Sequence, residues 1–367
     1  MSLDPETAAI YREKARVWRD ARVGKSGELA LRLAEAVGGT PTAPLLDIGC
    51  GPGLLAEYLP EPVIGLDPIR EMLDLLPEHA PHALPVQAES AHLPFATGSL
   101  GGALGANVYV HVDRRLLPMA LAELHRVLQP DAPIELRVFE GDQDFEVSHD
   151  DSIGPRRFSR WHPDALRAVI NGAGFKIDRL DLRTDGDRWT TIDVSARRAH
   201  TLPDIVGPAM RLLMCGLNPS VYSADVGIGF GRPGNRFWPA ALMAGVASVD
   251  RDPRHALEHH GMGMTDLVKR ATPRADALSN DEYRNGLARV TQLCEWLRPE
   301  VVCFVGLAGW RAAADRTAKA GWQDRMLGPS AVYVMPSTSG LNAHAQLDDL
   351  AEHLATAAAG PDGVARS

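Results

Sequence analysis

Cysteine is scarce in this 367-residue sequence: there are four, Cys50, Cys215, Cys294 and Cys303, and no two form a Cys-x-x-Cys pair. That spacing indicates neither a disulfide framework nor a zinc site, so no metal is expected. Long apolar runs are missing too. Although 45% of the residues are hydrophobic, Gly, Pro or a charge interrupts each stretch within about 10 residues, well short of a membrane-spanning helix. The first residues, Met1 to Glu6, lack the basic-then-apolar plan of a secretory signal. A cytoplasmic protein with no membrane partner is expected. A surplus of positive charge is also absent, since the formal net charge is −9. The deficit is uneven, however: residues 1–200 carry 22 basic against 30 acidic side chains, and residues 201–367 carry 16 against 17. A nearly neutral second half can still hold nucleic acid through a few arginines and backbone amides, with modest nonspecific affinity and strong salt dependence.

The length allows two or three domains, and two different glycine-rich loops mark two of them. In the first half, Pro44 to Ile48 reads as a buried strand carrying Asp47 and leads into Gly49-Cys50-Gly51-Pro52-Gly53. Glycines there let a ligand approach the backbone without a Cβ in the way. A short helix is expected over Leu54 to Leu59. A second strand, Val63 to Leu66, ends in Asp67, where a carboxylate can accept from ribose hydroxyls. In the second half, the apolar strand Leu212-Leu213-Met214 runs into Cys215-Gly216-Leu217-Asn218-Pro219-Ser220, then a glycine-rich loop with Phe230, and Gly234-Asn235-Arg236-Phe237-Trp238, where Asn235 opens a helix. This places one uncharged amide, Asn218, at the carboxyl end of a strand, where open α/β sheets bind ligands.

The first set, with Glu89-Ser90-Ala91-His92-Leu93-Pro94-Phe95 after a third strand, resembles the Rossmann-like S-adenosylmethionine-dependent methyltransferases over roughly Val17 to Arg198. The resemblance assigns Asp47, Gly49, Gly51 and Gly53 to the methionine end of S-adenosylmethionine, Asp67 to its ribose and Glu89 to its adenine edge. One departure bears on turnover: Ser99-Leu100-Gly101 stands where that family often has Ser-Phe-Asp. The region after the fourth strand, Ala106 to Val112, has neither the Pro-Pro loop nor the Pro-Cys pair of DNA base methyltransferases. Asn107 and His111 there read as structural or cofactor-lining, and the methyl acceptor is unassigned.

The second set resembles the mismatch-specific uracil/thymine-DNA glycosylases over roughly Met210 to Ala357. Gly263-Met264-Thr265-Asp266-Leu267-Val268-Lys269-Arg270-Ala271-Thr272 matches the family's middle segment, and Val332 to Met335 followed by Pro336-Ser337-Thr338-Ser339-Gly340-Leu341 matches its second block. The resemblance implies that Asn218 orients the attacking water and that Gly216, Leu217, Phe230 and Asn235 surround the flipped base. It places Ser337, Thr338, Ser339 and Gly340 on the DNA backbone, with Leu341 as the wedge in the vacated stack. The implied partner is double-stranded DNA with G·U or G·T mismatches. The second block mixes features of the uracil and thymine branches, which leaves substrate preference open. Iron–sulfur glycosylases need four thiolates, and Cys50 already lies in the other domain's loop. A single-strand-preferring glycosylase shares Gly-x-Asn-Pro, but its second motif begins His-Pro-Ser, which this chain lacks.

The expected architecture is α/β throughout: a methyltransferase-like domain over 1–198, a linker over 199–208, a glycosylase α/β/α sandwich over 209–358 and a flexible tail over 359–367. Two other readings use the same residues: a mismatch reader without turnover, and a methyltransferase acting on RNA or a small molecule with a non-catalytic second half.

Overall fold

The computed structural model describes residues 3–24, 26–148, 153–185, 189–340, 342 and 345–361. The chain divides into two compact units, Met1–Ala199 and His200–Ser367.

In the first unit the strands are β1 (Leu45–Ile48), β2 (Val63–Asp67), β3 (Ala83–Gln87), β4 (Gly102–Ala106), β5 (Pro133–Glu140), β6 (Phe175–Asp185) and β7 (Trp189–Arg198). They lie in the order β3-β2-β1-β4-β5-β7-β6, and the two-residue strand Arg160–Trp161 beside β5 makes the sheet eight-stranded among the described residues. β1 to β5 run parallel, whereas β7 is antiparallel to both its neighbours. β1 and β2 are buried at every position, as strands covered on both faces must be. The strand order reverses between β1 and β4, so a crevice opens beyond their carboxyl ends. Helix α1 (Pro5–Asp20) begins with Pro5 after Asp4, whose carboxylate accepts from the Thr7 N–H. Helix α2 (Glu28–Val37) buries Leu29, Ala30 and Leu33 against Leu45 and Leu104. The helix expected over Leu54 to Leu59 is a single 3₁₀ turn, Ala56–Tyr58. Pro60 follows at once and cannot donate to a further turn.

The second unit has β8 (Leu212–Gly216), β9 (Met262–Asp266), β10 (Val301–Val305), β11 (Gly321–Leu327) and β12 (Ser330–Met335), in the order β9-β8-β10-β12-β11. Only the β11 edge is antiparallel. Alternation along β8 sends Leu212 and Met214 to one face and Leu213 and Cys215 to the other. The first face is covered by α3 (Phe237–Met243) and α5 (Leu347–Ala359), and the second by α4 (Asn280–Leu297). This is an α/β/α sandwich. A capping box between Ser279 and Glu282 fixes the start of α4.

The stretch expected to be a linker is built into the second unit instead. Ile205 bridges to Met264, and Asp204, only 3% exposed, accepts from Lys269 at 2.8 Å, Arg289 at 2.6 Å and Thr265 at 2.7 Å. Pro203 and Gly207 suggested a joint, but a buried carboxylate held by two cations fixes the segment in place. Among the described residues, no helix is long and apolar enough to cross a membrane.

Candidate active sites

In the second unit, the middle block zips against the first. Leu267 N–H donates to the Gly216 carbonyl at 2.8 Å, Val268 N–H to that of Leu217 at 3.0 Å, and Thr272 N–H to that of Pro219 at 3.1 Å. The Asn218 side chain is thereby fixed. Its two Nδ2 protons are shared among three acceptors, Thr272 Oγ1 at 2.8 Å, the Arg270 carbonyl at 3.0 Å and the Pro219 carbonyl at 3.1 Å. Carbonyls only accept, so the NH₂ end must face them and Oδ1 faces the other way. Thr272 strengthens the assignment, because its own proton goes to the Arg274 carbonyl at 2.9 Å. Among the described residues nothing takes Asn218 Oδ1, which leaves it available to accept from a water.

Two residues before this amide, Gly216 is closely flanked. A Cβ on Gly216 would sit 2.4 Å from Asp266 Oδ1 and 3.3 Å from Phe230 Cζ, so only glycine lets these two side chains meet there. Phe230 adopts φ 56°, unusual for a bulky residue, and its ring stacks on Phe237 with centroids 4.2 Å apart and planes 18° from parallel. The sequence matched the block holding Asp266 to the family's middle segment but gave that residue no role. The available signal was an acid ending the strand beside the one that ends in Gly216. Burial pushes the Asp266 carboxyl up to about 6, with Lys269 opposing the rise and Asp204 adding to it.

Leu217 and Asn235 both have partners within the protein. The Leu217 side chain packs over Gly309 and Leu267, in the cluster on the opposite sheet face from Phe230, so only its backbone is left for a base. Asn235 Oδ1 accepts from the Phe237 N–H at 2.9 Å, one residue ahead of the N-cap Arg236 of α3.

The second block is clasped to the first through Arg236, whose guanidinium donates to the carbonyls of Ser339 at 3.1 Å, Asn342 at 2.7 Å and Ala345. Arg236 N–H also donates to the Thr338 carbonyl at 3.0 Å. A Cβ on Gly340 would lie 2.8 Å from the Gly234 carbonyl, so the two glycine loops touch backbone to backbone. Ser337 and Ser339 are half-buried and Gly340 is exposed. Thr338 is 1% exposed, so its side chain is packed away from any phosphate. Leu341 lies outside the described residues.

In the first unit a cavity of about 920 Å³ opens at the β1/β4 crevice, lined by Asp47, Gly49, Gly51, Asp67 and Glu89 among others. Gly49 and Gly51 have φ 66° and 54°. Asp47 Oδ2 is buried without a partner, and burial, helped by the Asp67 charge, pushes this carboxyl up to about 8. Such an atom suits a ligand ammonium. Asp67 accepts from the Gly51 N–H at 2.9 Å and the Ile69 N–H at 2.8 Å, shaping the glycine loop. Burial raises it to about 6, against the effect of those two bonds. Gly53 differs from the expectation. It faces Leu76 and Ala80, with a Cβ there 3.0 Å from Leu76 Cδ1, so it serves packing and not the cavity. Gly101 is far from being a missing catalytic acid: a Cβ there would lie 2.8 Å from the Ala43 carbonyl. Asn107 and His111 both line the cavity.

With these two sites in view, the comparisons with known proteins give the class of each unit. Residues 203–358 match the family model described as the uracil DNA glycosylase superfamily, and residues 46–134 match the one described as a methyltransferase domain. The chain therefore carries a methyltransferase domain followed by a domain of the uracil DNA glycosylase superfamily. Similar solved structures include an S-adenosylmethionine-dependent methyltransferase from Methanosarcina mazei, 19% identical, covering 42% of this chain and 92% of that one with TM-score 0.39. Another is the Burkholderia thailandensis 1,6-didemethyltoxoflavin-N1-methyltransferase, 20% identical, covering 54% and 92% with TM-score 0.42. A third is the magnesium protoporphyrin IX methyltransferase of Synechocystis PCC 6803, 15% identical, covering 53% and 100% with TM-score 0.42.

Proposed function

We propose that the second unit is a DNA repair glycosylase that hydrolytically excises uracil or thymine from G·U and G·T mismatches. The observation that carries this reading is the Asn218 amide, locked through Nδ2 with Oδ1 left for a water, two residues after a Gly216 closely flanked by Phe230 and Asp266. Duplex DNA hides the glycosidic bond, so the nucleotide must swing out, and a mispaired base does so at lower cost. Once out, the pyrimidine stacks on Phe230 while the Asp266 carboxylate accepts from its ring N3–H. Uracil and thymine carry that hydrogen and cytosine does not. Backbone amides at the strand ends receive the charge that develops on the departing base, and Asn218 holds the water that attacks the sugar carbon. An amide is not a strong base, so bond breaking runs ahead of attack. Ser337, Ser339 and Gly340, held by Arg236, meet the flanking phosphates, and Leu341 fills the vacated stack.

The first unit is read as an S-adenosylmethionine site, because an orphaned buried carboxylate oxygen on Asp47 and a glycine loop without side chains fit that molecule's ammonium and backbone-hugging chain. When bound, it supplies a methyl group on a positively charged sulfur. Asp47 would hold the ammonium, Asp67 the ribose and Glu89 the adenine edge. Base release from a G·U duplex tests the first reading, and no release would remove it. Calorimetric titration with S-adenosylmethionine and with NAD tests the second: NAD binding without S-adenosylmethionine binding would overturn it. Asp67→Ala should weaken the cofactor by about 1.5–3 kcal/mol through lost ribose bonds.

A further inference from the structure

Besides the glycine loop, the first unit's cavity is lined by Tyr11, His111, Phe139, Arg156 and Phe158. Three of these form a directed chain of hydrogen bonds. His111 Nδ1 is 2.8 Å from the Arg157 carbonyl. A carbonyl only accepts, so Nδ1 carries the proton and Nε2 is bare. Tyr11 Oη, 2.7 Å from Nε2, must therefore donate to it. Arg156 Nη1 is 2.6 Å from the same phenolic oxygen and can only donate. Tyr11 has thus given its one proton and filled one lone pair, and among the described residues nothing occupies the other. Burial holds His111 near 4, so the ring stays neutral and this direction persists at physiological pH.

The walls are aromatic. Phe158 lies 4.9 Å from the His111 ring and 5.6 Å from Phe139, centroid to centroid, and Tyr11 meets His111 edge-on at 5.4 Å. We propose that this aromatic part of the cavity lining binds the methyl acceptor, an aromatic ring bearing an O–H, whose hydroxyl donates to Tyr11 Oη while the ring packs against Phe139 and Phe158. The proposal deepens the reading of the first unit as a methyltransferase. The wiring makes the site asymmetric: a hydroxyl can donate to Tyr11, whereas the corresponding methyl ether cannot and leaves that lone pair buried and unmet. The unmethylated ring is held and the methylated one is released.

The test is calorimetric titration of the full chain with 2-naphthol and with 2-methoxynaphthalene, each with and without S-adenosylhomocysteine. The expected result is 2-naphthol binding about tenfold tighter than its ether, the effect of one buried hydrogen bond. In Tyr11→Phe the ratio should fall to near one, with S-adenosylhomocysteine affinity unchanged within about twofold. Equal affinity for the two probes in the wild type, binding of neither, or a ratio that survives Tyr11→Phe would each overturn the proposal. The wild-type comparison needs no variant to fold. Failure of S-adenosylhomocysteine to bind, with the naphthol ratio intact, would sink the cofactor reading and with it the acceptor role, leaving only a hydroxyl-selective aromatic pocket; a lost ratio with S-adenosylhomocysteine still bound would sink this proposal alone.

Discussion

Thr272 is the test of whether Asn218 works because it is held. Replacing Asn218 with Ala removes both the water's acceptor and the amide, and loss of one preorganised catalytic group of this kind costs about 100-fold or more in single-turnover rate. Thr272→Ala leaves the Asn218 oxygen in place but removes one of the three acceptors fixing its Nδ2. One neutral hydrogen bond is worth about 1 kcal/mol, or about fivefold in rate if the water's position degrades in proportion. Because Thr272 acts only through Asn218, the effects must not add: the double variant should be no slower than Asn218→Ala alone. The assay is release of uracil from a G·U duplex with enzyme in excess, read by alkaline cleavage at the abasic site. A fivefold loss that persists in the Asn218→Ala background would refute the positioning role. Full activity in Asn218→Ala would refute the site itself.

The Asp266 carboxyl, pushed up to about 6, should make base recognition complete above that value and lose it as pH falls through it, so the wild-type rate should drop about tenfold per unit below pH 6. Asp266→Asn should flatten that limb, and an acid limb identical in the variant would count against the role. Asp47, raised from an ordinary carboxylate to about 8, binds its proton more tightly folded than unfolded. Its contribution to stability is therefore present at low pH and lost as pH rises through about 8. Scanning calorimetry should show this contribution pulling the first unit's transition down from about pH 4 to about pH 8 and no further above it, with S-adenosylhomocysteine, whose ammonium would face the carboxylate, reducing the slope; no such fall would contradict the assignment. Arg236→Gln should speed hydrogen exchange at Ser339 and Asn342 by more than about fivefold and slow duplex cleavage more than single-strand cleavage. Unchanged exchange would mean the clasp does not hold the second block.

Much of this was legible in the residues because strands ending in glycine loops announce themselves locally. β2 ends in Asp67 and β8 runs into Asn218 as the apolar runs imply. The sequence could not tell which glycines line the cavity: Gly49 and Gly51 do, while Gly53, two positions on, faces Leu76. That depends on where a helix from elsewhere in the chain packs. Leu217 and Thr338 fail for the same reason, since adjacent residues in one motif point to opposite faces. The Tyr11–His111–Arg156 chain was invisible for another: it arises from residues distant in sequence, and no single segment carries the pattern. Asp204 was hidden by its neighbours, Pro203 and Gly207, whose usual meaning is a joint.

That misplaced aspartate has a reach beyond holding its segment. Asp204 balances Lys269 and Arg289, which keep it ionised although burial opposes this, and its charge in turn helps raise the proton affinity of Asp266. Neutralising it would leave two cations unopposed and draw the Asp266 proton off at lower pH. The short stretch ahead of β8 therefore acts as a tuning element for the base pocket. Any exchange of partner domains that cut the chain at Pro208 would change the proton affinity of Asp266, even with every motif residue of the second unit intact.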